Sequence, residues 1–106
     1  MQVPTCLLEL RHMADELYKA LADPTRRVIL DELADHDGQS LFEICSRLSA
    51  KHQSSSSRQA ISQHLAVLEA AGLVSTQRQG RFKLHYFDPT PLNEIADRWP
   101  QRKDNQ

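Results

Sequence analysis

The stretch 54–74, SSSSRQAISQHLAVLEAAGLV, sets Arg58, Gln59, Ser62 and Gln63 close together in the chain. On a helix these four share one side, with Ile61, Leu65 and Leu68 opposite. Their side chains have a chemistry in common. Arginine makes a forked pair of hydrogen bonds to guanine, glutamine does the same to adenine, and serine reaches either base edge. A face that is merely solvated would be richer in Glu and Lys; this one is amide-rich and short in reach. Bases are read from the first turns of a helix lying in the major groove, where these residues stand. Ser57 is the expected cap of that helix, and His64 adjoins the polar face. For His64, a place in the helix packing and a polar contact near DNA both remain open.

A second group follows in 73–87, LVSTQRQGRFKLHYF, where alternating residues are interrupted at Gln79 and Gly80. That pattern predicts a β-hairpin whose turn uses Gly80 for positive φ. Arg78, Arg81 and Lys83 surround the turn and place cations at a protruding tip, suited to phosphates or to a minor groove. Lys51 and the serines 54–57 suit phosphate oxygens too, but a serine run serves equally as plain linker.

Other chemistries lack their residues. No nucleophile adjoins a base, no glycine-rich phosphate loop is present, and no paired carboxylates suggest a catalytic pocket, so an enzyme is not expected. Cys6 and Cys45 have neither metal-type nor redox-type spacing, and His12, His36, His52, His64 and His85 form no i, i+4 pair. No metal and no cofactor are expected. Cys45 falls on an apolar face as a packed core residue, and His85 alternates with core positions on the second strand.

The 106 residues carry a net charge of −1. Acids outnumber bases over 1–50, whereas over 51–87 Lys51, Arg58, Arg78, Arg81 and Lys83 face only Glu69. Such segregation gives a directional electrostatic surface. No apolar run approaches the roughly 18 residues of a membrane span. The start, MQVPTCLLELRH, lacks the pattern of a secretory signal, so the expected compartment is the reducing cytoplasm, with no membrane partner.

These groups need elements to hold them. Apolar residues recur at spacings of three and four over 7–21, an amphipathic helix. Asp23 caps a second helix with Pro24 at its first position, and Asp37-Gly38 stops it. Ser40 and Glu43 form a capping box for a third helix, 41–48, followed by a polar connector, 49–57. The fourth helix runs over 58–71 and ends at Gly72; the hairpin occupies 73–87. Thr90 caps a last short helix, 91–99, with Pro91 at its first position and a polar tail beyond. The whole is one domain, 1–106: mainly α with a small β-hairpin, five helices plus a two-stranded wing, a winged helix-turn-helix.

LADPTRRVILDELA, SRQAISQHLAVLEAAGLV and GRFKLHYFDPTPLNEIADRW together resemble the ArsR/SmtB family of bacterial transcription regulators over 17–99. The resemblance implies a cytoplasmic homodimeric repressor of double-stranded DNA that binds an imperfect palindrome at its own promoter. The helices at 7–21 and 91–99 would form the dimer interface. Gln59, Ser62 and Gln63 would occupy DNA-contacting positions, with Arg58 and His64 as neighbours. The chain departs from the metal-sensing members. Ser40 and Phe42 stand where thiolates would be needed, and 91–99 offers Glu94 and Asp97 but no histidine. The connector 49–57 is also longer than the family's tight turn. A winged-helix module that docks on a protein through the same face is the competing expectation, favoured by the near-neutral charge.

Overall fold

The computed structural model describes residues 15–53 and 55–100. The expectations for 7–14, for Cys6 and His12, and for the tail 101–106 lie outside them. Helix α1 occupies 15–22, α2 Pro24–Asp35, α3 Leu41–His52 and α4 Arg58–Ala70. Strands β1 Val74–Gln79 and β2 Phe82–Phe87 follow, then α5 Leu92–Arg98. Leu17, Ile29, Leu33, Ile44, Leu48, Ile61, Leu68 and Leu73 are buried together, so one core draws on α1 to α4 and the start of the wing.

Each junction has a local cause. The Asp23 carboxylate accepts the N–H groups of Thr25 at 2.8 Å and Arg26 at 3.3 Å, which starts α2 behind Pro24. Arg26 then reaches back, donating from Nε to the carbonyl of Ala20 and from Nη2 to that of Lys19, both at 2.9 Å. Arg27 donates to the Leu21 carbonyl at 2.7 Å. Two guanidiniums thus close the C-terminal end of α1, where cations and donors are favoured. Partial burial pushes the Asp23 carboxyl up, but the N–H groups of Arg26 and Thr25 and the charges of His64 and Arg26 outweigh it and hold it below the ordinary value. Its contribution to stability is therefore present above the ordinary carboxylate range and is lost as pH falls through the lowered folded value. Asp23→Ala should cost about 1 kcal/mol at neutral pH. It should also flatten the acid limb of the stability curve; urea melts between pH 3 and 7, compared with the parent, check both.

The capping box at Ser40 and Glu43 is formed. Helix α3, however, does not end at 48. It runs four residues further, to His52, and closes at Gln53 with φ 50°. The reason lies in α2: Glu32 is only 2 % exposed, and Lys51 and Arg47 come to its carboxylate at 3.4 and 3.7 Å. Lys51 also meets Asp35 at 3.5 Å. A buried carboxylate needs such partners, and only a helical 49–52 delivers Lys51. The connector is thereby shortened to 53–57.

Helix α4 begins behind Ser57, whose Oγ accepts the Ala60 N–H at 3.1 Å, and ends with Ala71 as its cap and Gly72 just beyond at φ 79°. The strands pair antiparallel, Val74 with Phe87 through Gln79 with Phe82. The two-residue turn is Gly80-Arg81, with Gly80 at φ 62° in the first central position, as a type II′ turn requires. The sequence pattern missed a third strand-like contact: Gln39 bridges His85 on the outer edge of β2, tying the start of α3 to the wing. Thr90 does not cap α5. Its N–H donates to the Asp88 carboxylate at 3.0 Å, and Pro91 stands at the cap position without a side-chain bond. Bonds from Thr90 hold the Asp88 carboxyl below its usual range, so the turn draws on the aspartate and the helix starts one residue later.

Candidate nucleic-acid interface

The polar residues of α4 divide into three groups once the helix is packed. Gln59, Ser62 and Gln63 are exposed and point away from the buried Ile61, Leu65 and Leu68. Arg58 is exposed as well but leans toward α3, its guanidinium 5.9 Å from the centre of the Phe42 ring. His64 turns the other way: it is half-buried, with Nδ1 3.2 Å from a guanidinium nitrogen of Arg26. Arg26 therefore links the end of α1, the cap of α2 and the flank of α4. Nothing in the sequence spacing pointed to that link, because its partners lie 6, 7 and 38 residues away. Ser57 keeps a hydroxyl proton free to donate, since its oxygen is the acceptor in the cap.

On the wing, Arg78 and Lys83 face each other across the strands. Like charges in opposed positions are destabilising unless something negative is near. Glu69 supplies part of that, 4.0 Å from the Lys83 Nζ, and it also accepts from the Thr76 hydroxyl at 3.5 Å. Arg78 and Arg81 are exposed and form no ion pair among the described residues. Of the expected phosphate contacts, Lys51 is turned onto Glu32 and Asp35, and Lys83 lies beside Glu69. His85, expected to alternate with core positions, is itself buried, with Nδ1 2.9 Å from the Gln39 carbonyl. Cys45 is half-buried against the core; burial pushes its thiol up despite the nearby charge of Arg58, so little thiolate forms at neutral pH. Among the described residues, no group of three or more His, Cys, Asp or Glu side chains is placed to hold a metal ion.

A helical core that presents an amide-rich helix face beside a cationic two-stranded wing defines a winged helix-turn-helix transcription regulator. Residues 21–77 match the helix-turn-helix domain family. The chain is 45% identical over 85 residues to the uncharacterized HTH-type transcriptional regulator YuzN of Bacillus subtilis (strain 168), covering 80% of this chain and 92% of that one. It is 32% identical over 80 residues to the transcriptional repressor SdpR of the same organism, covering 76% and 81% of the two chains. A solved ArsR-like transcriptional regulator from Rhodococcus sp. RHA1 superposes with a TM-score of 0.72 at 32% identity, over 86% of this chain and 77% of that one. The chain belongs to the ArsR/SmtB family of winged helix-turn-helix transcription regulators, and it is not an enzyme.

Proposed function

We propose that the protein is a homodimeric repressor of the cytoplasm that binds a palindromic operator in double-stranded DNA. The observation that carries this reading is the exposed Gln59, Ser62 and Gln63 face of α4, set beside a wing whose Arg78 and Arg81 have no internal counter-charge among the described residues. Gln59, Gln63 and Ser62 read base edges in the major groove; Arg58, Ser57, Arg78, Arg81 and Lys83 hold phosphates or enter the flanking minor groove. His64, bound to Arg26, fixes the angle at which α4 enters the groove. Two copies place their α4 helices in successive major grooves about 34–36 Å apart.

The second copy is supported by the surface made by α1 and α5. Leu21, Leu92 and Ile95 are only partly covered, and Trp99 is 65 % exposed with the Arg98 guanidinium 4.7 Å from its ring centre. No described helix is long and apolar enough to cross a membrane. The repressor assignment agrees with the likeness to SdpR and is tested by transcription from the bound promoter.

Anisotropy of a fluorescent duplex spanning the gene's own upstream region, against a scrambled duplex at several salt concentrations, tests the DNA reading. The expected result is a preference for the native duplex and a steep loss of affinity with salt, a log–log slope of about −0.9 per phosphate neutralised. Arg81→Gln should make that slope shallower by about one unit per wing and weaken all sequences alike. Gln63→Ala should cost about 1–3 kcal/mol of binding and relax preference at one base position in each half-site. Equal, weak and salt-insensitive binding of both duplexes would instead favour a protein partner for this face.

A further inference from the structure

Between the start of α3, the middle of α4 and β2 lies a cleft of about 400 Å³. That is within the range of small-molecule sites, roughly 300–1,000 Å³. Leu41, Leu65 and Ala66 give it apolar lining, of which Leu65 is buried. Two phenyl rings rim it, Phe42 at 66 % and Phe82 at 62 % exposure, two of the three large hydrophobic residues that the described chain leaves most open. Arg58, Arg81 and Lys83 line the same cleft against a single carboxylate, Glu69. The cleft thus carries a net positive charge on an apolar, aromatic frame. A DNA phosphate would use the cations but gain nothing from two phenyl rings. A flat apolar body bearing one carboxylate uses both.

The deepest polar group narrows the ligand further. His85 lines the cleft and is 6 % exposed. Its Nδ1 faces the Gln39 carbonyl at 2.9 Å; a carbonyl only accepts, so Nδ1 carries the proton. In the neutral ring Nε2 is then an acceptor, and no described residue donates to it. Left without a partner and reached from the cleft, that acceptor can meet a ligand donor.

We propose that this cleft is a regulatory site for a small aromatic carboxylate that also bears a hydroxyl. The carboxylate lies against Arg58 and Arg81, the ring between Phe42 and Phe82, and the hydroxyl donates to His85 Nε2. Because Arg58 and Ser62 line the cleft as well as the reading face, an occupied cleft excludes DNA. That consequence rests on the DNA reading above; the binding itself does not.

The test titrates 6-hydroxy-2-naphthoate, and 2-naphthoate without the hydroxyl, into the 15N-labelled full chain while amide shifts are followed. Saturable shifts confined to the start of α3, α4 and the wing from Arg81 to His85 are expected, with the hydroxylated probe the tighter. Phe42→Ser and Phe82→Ser alter exposed side chains and should each weaken it about tenfold, equivalent to 1.4 kcal/mol. Absence of saturation, shifts centred on the Trp99 surface, equal affinity for the two probes, or variants as tight as the parent would each overturn the site. At saturation the probe should weaken binding of the native duplex at least tenfold, and an unchanged affinity would overturn the exclusion. A chain that takes the probe in this way but ignores every duplex would refute the repressor reading and leave the site standing.

Discussion

Leu68→Ala should remove about 2–5 kcal/mol of folding stability, a large share of the total for a domain of this size. Leu68 lies on the inner face of α4 and is fully buried, in the same cluster as Ile29, Leu33, Ile44, Ile61 and Leu73. Its carbonyl also accepts the Leu73 N–H at 3.0 Å, at the point where the helix hands over to the wing. Truncation leaves a cavity among residues from several elements, none of which can collapse into it without moving the others. The thermal midpoint should fall by roughly 10–25 °C, and the urea midpoint should fall with an unchanged m value. Gln63→Ala, five residues earlier on the outer face, should stay within about 0.5 kcal/mol of the parent by the same melts. If both variants melt alike, Leu68 does not hold the helix on the core.

The second large effect concerns charge. Arg47→Met combined with Lys51→Met should destabilise the protein by about 3 kcal/mol, because it strands a carboxylate that is already paid for in desolvation. Glu32 is 2 % exposed, while its two cations keep 33 % and 44 % of their side-chain surface in solvent. That partial solvation places the expected cost at the low end for a broken buried pair. A third change, Glu32→Met, should recover most of the loss, since an apolar side chain of similar volume needs no counter-charge. Recovery separates the charge effect from lost packing of the Arg and Lys stems. A double variant within about 0.5 kcal/mol of the parent would mean that water reaches Glu32 and the pairing is incidental.

The order of elements follows from local rules that residues obey before any tertiary contact forms. Asp23-Pro24, the Ser40/Glu43 box and Ser57 each start a helix through bonds to residues two or three positions on, and Gly72 and Gly80 mark positive φ. The periodic burial of Ile61, Leu65 and Leu68 fixed which side of α4 faces solvent, so Gln59, Ser62 and Gln63 were legible as the outer face. Where a residue's role depends on a distant partner, the sequence was silent or misleading. The end of α3 moved to His52 because Lys51 finds Glu32, 19 residues earlier. His64, left open by the spacing, turns to Arg26, 38 residues away; Thr90, by contrast, ceded the start of α5 to a local bond with Asp88 that the capping pattern misassigned. The cleft between α3, α4 and β2 brings together residues far apart in the chain, and Gln39 bridges His85 beside it across 46 residues. Periodicity and capping report on neighbours within one turn or one pleat. Which side chains converge across such separations is decided by packing alone, since the chain places no local constraint on it.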